Sequence, residues 1–127
     1  MASNIDTVNL NATHVEALRN GVYTVLHLPG LADHEATQMA CQILQGLLHG
    51  PLVGEVVEHE SGLPGLSSSV TRDKTATVNV APGLPARFLA AAVSSVLVHA
   101  PKDMGLATYS EMQDLYRWLT DLALQPA

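Results

Sequence analysis

The sequence predicts a small α/β (or α+β) domain, a roughly three-stranded twisted sheet with packed helices in the order α-β-α-β-β-α-α. Three observations predict it. Residues 74–80 alternate strictly between apolar and polar, and apolar residues recur at helical spacing over 33–49 and 108–123. Pro-Gly-Leu occurs three times, at Pro29-Gly30-Leu31, Pro64-Gly65-Leu66 and Pro82-Gly83-Leu84. Proline presets φ at the first central position of a tight turn and glycine accepts positive φ at the second, so each copy reads as a turn.

The first 12 residues are polar and are expected to form a flexible N-terminus. Residues 13–20 follow as a short helix closed by Gly21. Residues 22–28 are β-branched or apolar on both faces, which predicts a central strand. After Pro29-Gly30, residues 33–49 place Ala36, Met39, Ala40, Ile43, Leu44, Leu47 and Leu48 on one helical stripe, and Gly50-Pro51 ends it. Residues 52–60 read as a strand whose charged end, Glu58-His59-Glu60, projects beyond the sheet. Residues 61–73 form a long Gly/Ser/Pro loop.

Over 74–80, Ala76, Val78 and Val80 share one face and Thr75, Thr77 and Asn79 the other. Pro85 suits the first turn of the next helix, since its missing N–H is unpaired there in any case. Residues 86–99 are apolar nearly all round, as in a buried helix or a helix at a subunit interface, although 93–98 are β-branched enough to suit a short strand. Thr108 with Glu111 forms a capping box for a final helix with Met112, Leu115, Tyr116, Leu119, Leu122 and Ala123 inward and Trp118 at the margin. The units 22–51 and 76–101 share the order strand, Pro-Gly-Leu, helix, which suggests an internal duplication.

Length bounds the function: 127 residues make one domain, 1–127, with no room for a cofactor domain beside it. Hydrophobic residues are 47% and charged ones only 14%. That is apolar for a small domain, so part of the surface is expected to be covered by another subunit. A formal charge of −6 with no cluster of Lys or Arg argues against general nucleic-acid binding. The single cysteine, Cys41, excludes an internal disulfide framework and reads as a small buried hydrophobe. The start of the chain has no leader pattern, and the longest apolar stretch, 88–100, is short and interrupted by Ser94 and Ser95. A cytoplasmic protein with no membrane partner is expected.

The best candidate site is an anion cradle at Pro82-Gly83-Leu84. Asn79 stands at the strand end, Gly83 permits close backbone approach and Arg87 lies one turn into the helix, which has no acid near its start. Ser67, Ser68, Ser69, Thr71, Arg72 and Lys74 in the preceding loop add hydroxyls and cations. The glycines match neither a Walker loop nor a dinucleotide fingerprint. Six histidines lack metal-ligand spacing, and at most His59 with Glu55, or Glu58 with Glu60, converge on a strand, so no metal and no cofactor is assigned. Gly65-Leu66-Ser67-Ser68-Ser69 lacks the second glycine of a nucleophile elbow, and no catalytic residue is named.

Two functions fit. The first is a non-catalytic interaction protein, a homo-oligomer or an inhibitor or adaptor of a larger partner, contacting it through Trp118, Phe88 and Tyr109. The alternative is a small-ligand protein that binds, and in one version hydrolyses, an anionic nucleotide-like ligand at the Pro82-Gly83-Leu84 turn.

Overall fold

The computed structural model describes residues 5–30, 34–50 and 56–126. In chain order the elements are β1 (Asp6–Leu10), α1 (Ala12–Leu26), α2 (Glu35–Leu47), β2 (Val57–Glu60), β3 (Leu66–Val70), β4 (Ala76–Val80), α3 (Leu84–His99) and α4 (Leu106–Ala123). The predicted class holds: a small mixed α/β domain, with four strands among the described residues rather than three. The sheet order is β1-β4-β3-β2, and every neighbouring pair is antiparallel.

Alternation decides which face of the sheet is covered. Leu10, Leu66, Val70, Ala76, Val78 and Val80 point one way and are buried. The opposite face carries Thr7 and Asn9 on β1, Thr77 and Asn79 on β4, Ser67 and Ser69 on β3, and Glu58 and Glu60 on β2. All helices stack on the apolar face, where α1 and α2 contact the sheet and α3 packs against the other three helices. Leu44, Leu47 and Leu48 of the α2 segment are fully buried, and each such leucine contributes about 1.5–3 kcal/mol.

The first half of the chain departs from the sequence reading. Residues 22–28 are not a strand, because α1 runs continuously to Leu26 and buries Val15, Leu18, Val22 and Val25 on one helical face. Gly21 therefore does not end a helix. It sits inside α1, where a Cβ would lie 2.4 Å from Val96 Cγ1, so the glycine lets α1 and α3 approach closely. Asn11 caps α1, its side chain accepting the His14 N–H at 2.8 Å. The suggested duplication falls with the strand it required.

Residues 6–10, read as part of a flexible start, form β1. The loop expected over 61–73 contains β3, because Leu66, Ser68 and Val70 alternate inward with Ser67 and Ser69 outward. The element order is thus β-α-α-β-β-β-α-α. Of the strand expected over 52–60, β2 supplies 57–60, while 52–55 lie outside the described residues. Residues 93–98 are helical, within α3. The Thr108–Glu111 capping box does not form: α4 starts two residues before Thr108, with Gly105 as its cap and the Tyr109 N–H donating to the Gly105 carbonyl at 2.9 Å. Glu111 instead accepts a hydrogen bond from the His14 ring, tying α4 to α1.

All three Pro-Gly-Leu glycines have positive φ: Gly30 at 84°, Gly65 at 85° and Gly83 at 85°. Only the third joins a strand to a helix. The first follows α1, and the second makes the turn between β2 and β3.

Candidate functional site

Strand alternation splits the expected anion cradle. Asn79 and Ser67 are neighbours on the open sheet face, Asn79 Nδ2 donating to Ser67 Oγ at 3.4 Å while Thr7 Oγ1 donates to Asn79 Oδ1 at 3.0 Å. Ser69 lies one row along the same face, beside Thr77, whose Oγ1 donates to Asn9 Oδ1 at 3.1 Å. Ser68 is a correction: it faces the core, is buried, and donates to the Leu47 carbonyl at 2.5 Å, so it cannot line a surface site.

Arg72 and Lys74 sit at the opposite end of β4 from Asn79, in the tight turn closed by the Thr71 N–H donating to Thr75 O at 2.9 Å. Five residues of extended strand separate Lys74 from Asn79 by about 17 Å. Gly83 caps α3, and Arg87 is exposed one turn later on the helical side of the molecule. The nine residues therefore occupy four places: the open sheet face, the core behind it, the turn between β3 and β4, and the start of α3.

One of those places gains residues that the sequence reading missed. Lys74 lines a groove of about 210 Å³ with Val15, Glu16, Arg19 and Asn20 of α1. Arg19 and Asn20 also border a second groove of about 560 Å³ with Tyr23, Gln42, Gln45 and His49. Glu16, Arg19, Asn20 and Tyr23 follow helical spacing, a signal that appears only when 12–26 is read as one helix.

A third groove, of about 430 Å³, crosses the outside of the helical layer and is lined by Arg87, Ala91, Ser95, Tyr116, Thr120 and Leu124. Small residues form its floor. Tyr116 and Leu124, the latter 76% exposed, are its large side chains with apolar surface, and beyond its lining α3 also exposes Leu84 (53%) and Val98 (67%). Leu84, Ala91 and Val98 recur every seven residues, so they follow one line along α3.

Trp118, Phe88 and Tyr109 are each half-buried and packed on the core. Trp118 borders a fourth groove, of about 380 Å³, between α4 and β1, with Val8, Leu10, His14 and Leu115. Phe88 lies on α3 instead, so the three aromatics do not share one element.

Among the described residues no three His, Cys, Asp or Glu side chains gather as metal ligands. The His59 ring donates to the His49 carbonyl at 2.5 Å, and Glu58 and Glu60 share the open sheet face. Glu55 lies outside the described residues. Cys41 is fully buried and burial pushes its thiol up, partly offset by a hydrogen bond with Ser95, so it is poorly placed to act as a thiolate nucleophile. Among the described residues no helix is long and apolar enough to cross a membrane.

No protein-family model, curated protein or solved structure matches this chain. Its surfaces alone bear on function.

Proposed function

We propose that the protein is a non-catalytic interaction protein, an adaptor or inhibitor that takes an apolar helix of a larger partner into the groove over α3 and α4. The observation that carries this reading is the groove of small residues, Ala91, Ser95 and Thr120 among them, lined by the exposed side chains of Tyr116 and Leu124, with exposed Leu84 and Val98 seven residues to either side of Ala91 along α3. A small-residue floor admits close helix packing, and apolar anchors at helical spacing are how grooves read helices. The reading assumes a cytosolic setting, in keeping with a lone reduced cysteine.

A photo-crosslinking residue placed at Ala91 is expected to trap one discrete protein in extracts of the source cells, and Arg at Ala91 is expected to abolish co-purification of that protein. Equal labelling from Ala91 and from exposed Glu16, on the far side of α1, overturns the reading.

One observation favours a second reading, an anionic small ligand: Lys74 and Arg19 line one groove. Under it, a panel of phosphorylated metabolites and nucleotides raises Tm, and Arg19→Ala with Lys74→Ala removes the rise. The same panel is expected to be indifferent to Arg87→Ala. No rise with any compound, or a rise that survives both substitutions, rejects the site.

A further inference from the structure

β1 is an edge strand. Among the described residues nothing pairs with its outer side, and the groove bounded by Val8, Leu10, Leu115 and Trp118 runs along it. Edge strands present unpaired N–H and C=O groups, and proteins usually guard them with lysine, proline, bulges or charge. The other edge, β2, is guarded in this way by exposed Glu58 and Glu60. β1 reads Asp-Thr-Val-Asn-Leu and pairs with β4 residue for residue from Asp6 to Leu10, without a bulge, and its one charge stands at its end.

The chemistry a new strand must have is written in the present pairs. On the open face β1 meets β4 through two Thr–Asn contacts, Thr7 with Asn79 and Thr77 with Asn9. On the other face an added strand needs apolar side chains toward Trp118 and Leu115. β1 itself meets the first requirement with Thr7 and Asn9, and meets the second at Val8 and Leu10, with Asp6 at the exposed end of that same face. A two-fold axis through Val8 sets Thr7 of each copy opposite Asn9 of the other, which repeats the Thr–Asn pairing twice. It also sets Val8 against Val8 and the exposed Asp6 of each copy opposite Leu10 of the other, and it holds the two Asp6 carboxylates about 14 Å apart along the strands, so no like charges meet.

We propose that two copies of this chain pair β1 to β1, antiparallel about Val8, joining their sheets into one of eight strands. The contact is isologous and closed, so it yields a dimer rather than a filament. It is separate from the groove over α3 and α4, which stays free for a partner helix.

Light scattering on the purified protein is expected to give twice the 13.5 kDa chain mass, falling on dilution. Register is tested by cysteine pairs under mild oxidation. Wild-type protein, with Cys41 buried, gives no covalent dimer. Val8→Cys does, because directly opposite Cα atoms lie about 4.5–5.5 Å apart, within reach of a disulfide. Thr7→Cys and Asn9→Cys each fail alone, their own copies being about 8 Å apart, yet crosslink when the two proteins are mixed.

A monomer at every concentration reached overturns the proposal. So does a dimer in which Val8→Cys folds but stays uncrosslinked, or in which Thr7→Cys and Asn9→Cys each crosslink alone. Should Val8→Cys fail to fold, the mixed pair decides. A dimer lost in Ala91→Arg but kept in the β1 variants places self-association on α3. That result would overturn this proposal, whereas loss of partner capture alone leaves it standing.

Discussion

Gly65→Ala is expected to lower the unfolding free energy by about 2–4 kcal/mol. Two costs combine. At φ of 85° any residue with a Cβ is strained, typically by about 1–2 kcal/mol. The added methyl would also lie 2.5 Å from Ala81 Cβ and 3.4 Å from Pro85 Cγ, and overpacking of this kind costs about 1–3 kcal/mol. The turn has little freedom to retreat, because the Ala81 N–H donates to the Gly65 carbonyl at 2.7 Å and pins the turn to the end of β4. Gly83→Ala separates the two costs. It has the same φ of 85° but nothing within 4 Å of the new Cβ. Urea unfolding of both variants is the check, and equal midpoints would show that the contact with Ala81 contributes nothing.

Gly21→Val is expected to cost about 3 kcal/mol or more. A glycine inside a helix ordinarily invites improvement, since replacing it with alanine gains about 1 kcal/mol of helix propensity. Here the gain is overridden, because the new Cβ points at Val96 Cγ1 2.4 Å away and at two further Val96 carbons 3.3 Å away. Valine in a helix keeps one strongly preferred rotamer, so Val96 cannot swing aside. Removing the obstacle should restore much of the loss. A double-mutant cycle of Gly21→Val with Val96→Ala is expected to show a favourable coupling of about 1–3 kcal/mol. Additive effects would mean that α1 and α3 do not rely on this contact.

That same contact explains why part of the fold was hidden in the sequence. Residues 22–26 have the composition of a strand, and the glycine before them has the look of a helix terminus. What makes them helical is long-range packing on α3, which local propensity does not contain. β3 was hidden for another reason. Its core-facing positions are Leu66, Ser68 and Val70, and the middle one is a serine whose burial becomes intelligible only with the Leu47 carbonyl in place to accept its hydroxyl. β1 was hidden by brevity, five residues with three polar side chains. By contrast β4, α3 and most of α2 and α4 were legible, because their periodicity is strong and proline or glycine bounds them. The residues of the candidate site were legible as chemistry and illegible as geometry. Lys74 had cationic company, but its neighbour Arg19 belongs to a helix that the sequence reading cut short.

The antiparallel order β1-β4-β3-β2 also has a consequence in time. β2, β3 and β4 follow one another through short turns and can zip together locally, whereas Thr7 waits for Asn79, 72 positions along the chain. During synthesis β1 leaves the ribosome well before β4, and a little over half of the sequence follows it before that partner strand is complete. Closing that long loop is the slow kind of pairing step. On the proposed β1-to-β1 pairing, β1 is for this interval a template whose side chains match those of every other nascent copy, and the concentration of chains being made then bears, with the stability of the finished fold, on what it pairs with first.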